Sequence, residues 1–156
     1  MADADFARDP LESISVSGVA SFVGENLVGW SSFKQNRVAQ ATCEAEVLSC
    51  LDGVNELEYL RDLLGELKLT EYINEPSTIY NDNQSCLASV ENGGSFKSSK
   101  HFRIRLNRCR KAVRDGLCAF AYRPTEDMTA DGLTKQLSFE SMVRVWGTAR
   151  LMIVRE

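Results

Sequence analysis

Four acidic residues sit in contexts suited to holding a divalent cation. Asp3 lies in Ala2-Asp3-Ala4-Asp5-Phe6 and Glu44 in Thr42-Cys43-Glu44-Ala45-Glu46. Asp82 lies in Ile79-Tyr80-Asn81-Asp82-Asn83-Gln84-Ser85, and Asp131 in Thr129-Ala130-Asp131-Gly132-Leu133-Thr134-Lys135. Each falls at a junction, where an apolar strand-like run ends or an amphipathic helix begins. Hard cations such as Mg²⁺ take carboxylate oxygens, and a fold can gather these from distant points in a chain. The chemistry this permits is phosphodiester hydrolysis by bound metal. It needs no covalent nucleophile, so the lack of a serine or cysteine triad signal is no objection.

The elements that must position these acids follow from periodicity. Residues 13–23 alternate, with Ile14, Val16, Ala20 and Phe22 on one side, as a half-buried strand does. A turn at Gly24-Glu25-Asn26 leads into a second strand, Leu27 to Phe33, and the residues around Asp3 to Phe6 supply a short first strand. From Cys43 to about Leu67 the period becomes helical. Val47, Leu51, Val54, Leu57, Leu60, Leu64 and Leu67 recur at three- and four-residue steps, predicting one buried face. Glu44 and Glu46 both fall in the first turn, where a carboxylate also complements the helix dipole.

Pro76 to Tyr80 reads as a strand ending at Asn81-Asp82, and a short helix runs from Gln84 to about Val90. The stretch from Ser98 to Asp115 reads as a helix with Phe102, Leu106, Cys109 and Val113 inward. Leu117 to Tyr122 is a last strand, and Pro124 opens a helix that carries Asp131. Residues 138–156, with Met142, Val145, Trp146 and Leu151, read as an amphipathic helix packing on a domain of residues 1–137. The order predicts an α/β fold, a mixed five-stranded sheet with helices on both faces and a first strand cut short.

The words around the four acids resemble the ribonuclease H domain of copia-type LTR-retrotransposon Pol polyproteins. Besides the strings above, Gly29-Trp30-Ser31-Ser32-Phe33-Lys34-Gln35, Lys100-His101-Phe102-Arg103-Ile104-Arg105 and Tyr122-Arg123-Pro124-Thr125-Glu126-Asp127-Met128 carry the likeness. It runs from residue 2 to about 137. The resemblance implies an RNase H-like fold in which Asp3, Glu44, Asp82 and Asp131 are catalytic, metal-binding carboxylates. It implies two Mg²⁺ ions, with Mn²⁺ as a substitute, and cleavage of the RNA strand of an RNA/DNA hybrid to 3′-hydroxyl and 5′-phosphate ends. It also implies fusion to a reverse transcriptase. The sequence departs from the family pattern at Cys43 (usually Thr), Val47 (usually aromatic) and Gln136 (usually Pro), none of them a ligand position.

Composition narrows the alternatives. The chain has 156 residues, 44% hydrophobic and 26% charged, ordinary for one globular domain. No apolar run reaches the roughly 20 residues of a membrane span, and no signal-peptide core is present. Five cysteines without a C-x-x-C pair read as reduced core residues, which points to an intracellular setting, cytoplasmic or nuclear. Net charge is −4, yet Lys97, Lys100, Arg103, Arg105, Arg108, Arg110, Lys111 and Arg114 follow one another without an acid. Such a patch can meet a phosphate backbone on an acidic protein. Lys97, Lys100, Arg103, Arg105 and Arg108 are the expected nucleic-acid contacts. Asn83 and Gln84 are expected at the sugar edge, with helix capping the equal alternative for both. A competing reading is a folded, inactive retrotransposon remnant that at most binds nucleic acid. It draws on the short first strand.

Overall fold

The computed structural model describes residues 1–7, 13–36, 38–39, 41–91 and 100–147. In chain order these form β1 (Ala2–Asp5), β2 (Val16–Val23), β3 (Asn26–Lys34), α1 (Thr42–Glu66), β4 (Ser77–Asn81), α2 (Gln84–Glu91), α3 (Lys100–Arg114), β5 (Cys118–Tyr122), α4 (Asp131–Thr134) and α5 (Phe139–Gly147). The alternating run and its Gly24-Glu25 turn close β2 and β3 into an antiparallel hairpin, with Gly24 at φ 60°. Only glycine adopts that backbone without steric cost. β1 lies antiparallel along the other edge of β2, which sets Asp3 opposite Gly18. β4 and β5 pair in parallel.

The five strands are those expected, but their hydrogen-bonded ladder has a gap. β1–β3 form one ladder and β4–β5 another. β1 and β4 are joined instead by the Asn81 side chain, whose Nδ2 donates to the Ala2 carbonyl at 2.9 Å. Successive side chains of a strand point to opposite faces. Ala2 faces Gly53 of α1, where an added Cβ would stand 3.3 Å from the Ala2 Cβ, whereas Asp3 accepts a hydrogen bond from Thr134 of α4. Helices therefore cover both faces.

The helical period of α1 is realised, though its cover stops early. Ala45, Val47, Cys50, Gly53 and Val54 are buried, and Val47 and Cys50 join Cys86, Val90, Phe102, Leu106 and Cys109 in the main core. Beyond Val54 the stripe is only half-buried at Leu57, Leu60 and Leu64, and Leu67 is 59% exposed. In α3 the inward residues are Phe102, Leu106, Cys109 and Ala112. Val113, expected inward, is exposed: Ala112 takes the inward position one turn beyond Cys109. Cys50, Cys86, Cys109 and Cys118 are buried core residues, as expected, while Cys43 is half-buried against them; the Cys50 and Cys86 sulfurs lie 3.8 Å apart. Burial pushes the Cys109 thiol up to about 12 and that of Cys118 up to about 11. Such thiols are poor nucleophiles.

The continuous helix expected from Pro124 through Asp131 is broken. A 3-10 turn at Thr125–Asp127 ends at Met128, which is extended, and α4 starts afresh at Asp131. The break lets Met128 and Ala130 drop fully into the interior. α5 packs back through buried Val145 and an Arg144–Asp127 ion pair of 3.0 Å. Leu151 and the rest of residues 148–156 lie outside the described residues, as do Lys97 and the turn at 92–94. Among the described residues, no helix is long and apolar enough to cross a membrane.

Candidate active site

Three of the four expected acids meet. Asp3 comes from β1, Asp82 from the residue after β4, and Asp131 from the first position of α4. Carboxylate oxygens of all three lie within 4.8 Å of one another. A close approach at Gly18 makes this possible. A Cβ there would stand 2.7 Å from Thr134 Cγ2 and 2.9 Å from the Ala130 carbonyl oxygen, so only glycine lets α4 settle on β2 opposite Asp3. Thr134 Oγ1 then donates to Asp3 Oδ2, and Thr125 Oγ1 donates to Asp82 Oδ2.

Glu44 is not a member of this cluster. It occupies the first turn of α1, half-exposed, with its backbone N–H on the Ala41 carbonyl. Glu46 is the acid that is buried, at 4% exposure. Its Oε2 accepts from Asn81 Nδ2 at 2.9 Å, the same amide that reaches Ala2, and it also accepts the Ala4 backbone N–H. Helical geometry explains the difference. Glu46 lies four residues before Cys50 and seven before Gly53, in the middle of the buried face. Glu44 is turned about 200° from it. That spacing to Gly53 and Cys50 is the signal in the sequence that could have found Glu46.

Burial and neighbouring negative charge hold protons on Asp3, Glu46 and Asp131. Burial and the Asp3 charge push Glu46 up to about 8. Burial, opposed by the Lys135 hydrogen bond, leaves Asp131 at about 7, and burial also raises Asp3. Lys135 Nζ stands 2.7 Å from Asp131 Oδ2. Burial works against its charge, but the bond to Asp131 and the nearby Asp3 and Asp82 outweigh this and raise its pKa. The other Asp131 oxygen, Oδ1, is buried with no hydrogen-bond partner among the described residues. An orphaned carboxylate oxygen costs a desolvation penalty unless something positive meets it. With three hard oxygen donors converging, the residues fit a divalent cation.

A pH dependence follows. A carboxyl whose folded pKa is raised stabilises the fold fully below its unfolded value, 4.5 for Glu46 and 3.8 for Asp131. That contribution is lost as pH rises through about 7 and about 8. Metal-free protein should therefore melt at progressively lower temperature from pH 5 to pH 9. Excess Mg²⁺ should restore the melting temperature at pH 8 and do little at pH 5. Thermal unfolding with and without EDTA measures both.

The other expected contacts divide. Asn83 Oδ1 accepts the Cys86 N–H at 2.9 Å, so it caps α2. Gln84 is exposed at the first position of that helix. On α3, Lys100, Arg103, Lys111 and Arg114 fall on one exposed face, with Lys111 paired to Asp115. Arg108 faces the other way and binds the Glu58 carboxylate of α1, one oxygen at 2.7 Å. Arg105 lies near Asp52, and Arg110 donates to the Ser89 carbonyl at 2.6 Å.

No family model matches the chain. Over 152 residues, 96% of its length, it is 31% identical to the retrovirus-related Pol polyproteins from transposons RE2 and RE1 of Arabidopsis thaliana. It is 30% identical over 135 residues to that from transposon TNT 1-94 of Nicotiana tabacum. The chain is a homologue of copia-type transposon Pol polyproteins. It spans 10% of the length of each of these relatives.

The fold of this Pol homologue is that of RNase H. The RNase H1 of Halobacterium salinarum superposes with a TM-score of 0.59 at 12% identity, covering 85% of this chain and 90% of that one. LC11-RNase H1, solved in complex with an RNA/DNA hybrid, gives 0.63 at 13% over the same shares. The N-terminal RNase H domain of rv2228c from Mycobacterium tuberculosis gives 0.57 at 14%, covering 95% and 94%.

Proposed function

We propose that the chain is a metal-dependent endonuclease that hydrolyses the RNA strand of RNA/DNA hybrids, with Asp3, Glu46, Asp82 and Asp131 as its metal-binding carboxylates. The convergence of Asp3, Asp82 and Asp131 within 4.8 Å, on an RNase H fold, carries this reading. Two Mg²⁺ ions, or Mn²⁺ in their place, would be held by these four. When bound, such ions lower the pKa of an attacking water and offset the charge on the departing oxygen. The protein's own groups supply the order. Thr134 fixes Asp3, Thr125 fixes Asp82, and Asn81 ties Glu46 to the β1 backbone. Lys135 neutralises part of the charge on Asp131.

The hybrid is proposed to lie along the exposed face of α3, on Lys100, Arg103 and Arg114, with Gln84 near the sugar edge. Lys97 is proposed as a further phosphate contact. Arg105 and Arg108 then serve mainly to hold α3 to α1. Replacing Lys100 and Arg103 by alanine should weaken hybrid binding and reduce the slope of log affinity against log salt by about 1 for each phosphate-binding cation removed. Replacing Arg108 should leave that slope unchanged; fluorescence anisotropy at several salt concentrations compares them. Residues 1–137 are the proposed catalytic unit and 138–156 a proposed addition to it, of which α5 packs back through Val145, and fusion to a reverse transcriptase is the proposed natural context.

The test is strand selectivity. With Mg²⁺ present, the RNA strand of a labelled hybrid should be cut to 3′-hydroxyl and 5′-phosphate ends, while its DNA strand and a DNA duplex stay intact. Equal cutting of single-stranded RNA or of DNA would contradict the reading. Binding of the hybrid with no cutting would favour the remnant, whose supporting observation is the gap between β1 and β4.

A further inference from the structure

Two neighbouring helices carry opposite charge on their outer faces. Ala112 of α3 and Val54 of α1 pack with Ala2 in one cluster, so both helices lie on the side of the sheet to which Ala2 points. They share the main core, through Val47 and Cys50 of α1 and Phe102, Leu106 and Cys109 of α3, and the Arg108–Glu58 ion pair ties them. Opposite those buried stripes, each helix presents its other face to solvent.

The outer face of α1 is acidic with an apolar middle. Glu56, Tyr59, Leu63 and Glu66 follow at steps of three and four residues, which sets them in one row, and Asp62 stands beside it. Tyr59 is 62% exposed and Leu63 36%. The outer face of α3 is its complement. Lys100, Ile104, Asn107 and Lys111 form a row by the same steps, with Arg103 beside it and Ile104 57% exposed. At 1.5 Å per residue, Glu56 to Glu66 spans about 15 Å and Lys100 to Lys111 about 17 Å. Within one copy the rows do not meet. Among the described residues Glu56, Asp62, Glu66, Lys100 and Arg103 enter no ion pair.

A single exposed apolar residue needs no partner. Here exposed carbon lies between charges of one sign on α1 and of the other sign on α3, at matching spacing. Carbon at the centre and complementary charge around it is the make-up of a protein–protein interface. We propose that α1 and α3 form the interface of a two-fold homodimer, with α1 of each copy lying on α3 of the other. Because the helices are neighbours in one layer, a two-fold axis between them exchanges both contacts at once, and the assembly closes at two. Ile104 of one copy lies against Tyr59 and Leu63 of the other, and Lys100 and Lys111 reach Glu56 and Glu66. The covered carbon supplies the attraction, and the charges decide which faces meet. The dimer does not depend on the nuclease reading. It covers Lys100 and Arg103, so a dimer cannot hold a hybrid on that face.

Sedimentation tests this with two charge-reversed variants, Glu56→Lys with Glu66→Lys on α1 and Lys100→Glu with Lys111→Glu on α3. At about 50 mM salt the unaltered chain should sediment with the mass of two copies, and about 0.5 M salt should weaken association at least about tenfold. Each variant alone sets like charges together in both contacts and should be monomeric. In an equimolar mixture one contact is unaltered and the other is reversed but complementary, so dimers should return, each holding one copy of either variant. An unaltered chain that stays monomeric at about 100 µM and low salt would overturn the proposal. So would a mixture as monomeric as its two parts, or a variant that dimerises alone as tightly as the unaltered chain.

Discussion

Replacing Asp82 by asparagine is expected to lower hydrolysis of the RNA strand roughly 10³-fold or more, about 4 kcal/mol of transition-state stabilisation. Binding of the hybrid should stay within about twofold, because the proposed phosphate contacts reside on α3. The substitution suits the purpose for a structural reason. Asp82 is half-exposed at the end of β4, and its carboxylate accepts from Thr125 Oγ1. An amide carbonyl can accept the same bond, so the local fold persists while the negative charge is removed. Single-turnover cleavage together with a binding isotherm checks both halves. Retained cleavage would remove Asp82 from the site.

The second large effect separates two glutamates that are neighbours in sequence. Glu46→Gln should cost roughly 10²-fold or more in cleavage, whereas Glu44→Gln should change it less than about threefold. The argument rests on the buried face of α1. Glu46 shares that face with Cys50 and Gly53 and is bridged by Asn81 to β1. Glutamine can still accept the Asn81 amide, so the loss would report charge and not packing. The same variant should also flatten the pH dependence of stability in metal-free protein, because Glu46 is the acid pushed highest. An uncharged group there contributes nothing to titrate, so Glu46→Gln should melt above wild type at pH 8 to 9 when metal is absent. Equal losses from both glutamates would return the role to the first turn of α1.

Much of this architecture was legible in the sequence, since hydrophobic period is what selects helix and strand. The hairpin of β2 and β3, the helix over Thr42–Glu66 and the basic helix over Lys100–Arg114 all follow from it. The acids Asp3, Asp82 and Asp131 were legible from their words and meet as expected. What was not legible depends on contacts between distant segments. The choice between Glu44 and Glu46 turns on which side of α1 meets β1. The break at Met128 arises because Met128 and Ala130 are drawn inward between elements. Asn81 was read only as part of a word, yet its one amide joins β4, Glu46 and β1. Gly18 was one small residue in an alternating strand, and its role appears only once α4 lies on it.

The central claim is that three separated segments form one divalent-cation site, and the most direct measurement is where Mn²⁺ binds. In an NMR titration of the folded chain, substoichiometric Mn²⁺ should broaden the amides of Asp3, Asp82 and Asp131 first. Those signals should stay sharp in the Asp82→Asn variant at the same ratio. Broadening that begins instead at exposed acids such as Glu71 and Glu75, with the three cluster amides unaffected, would contradict the account.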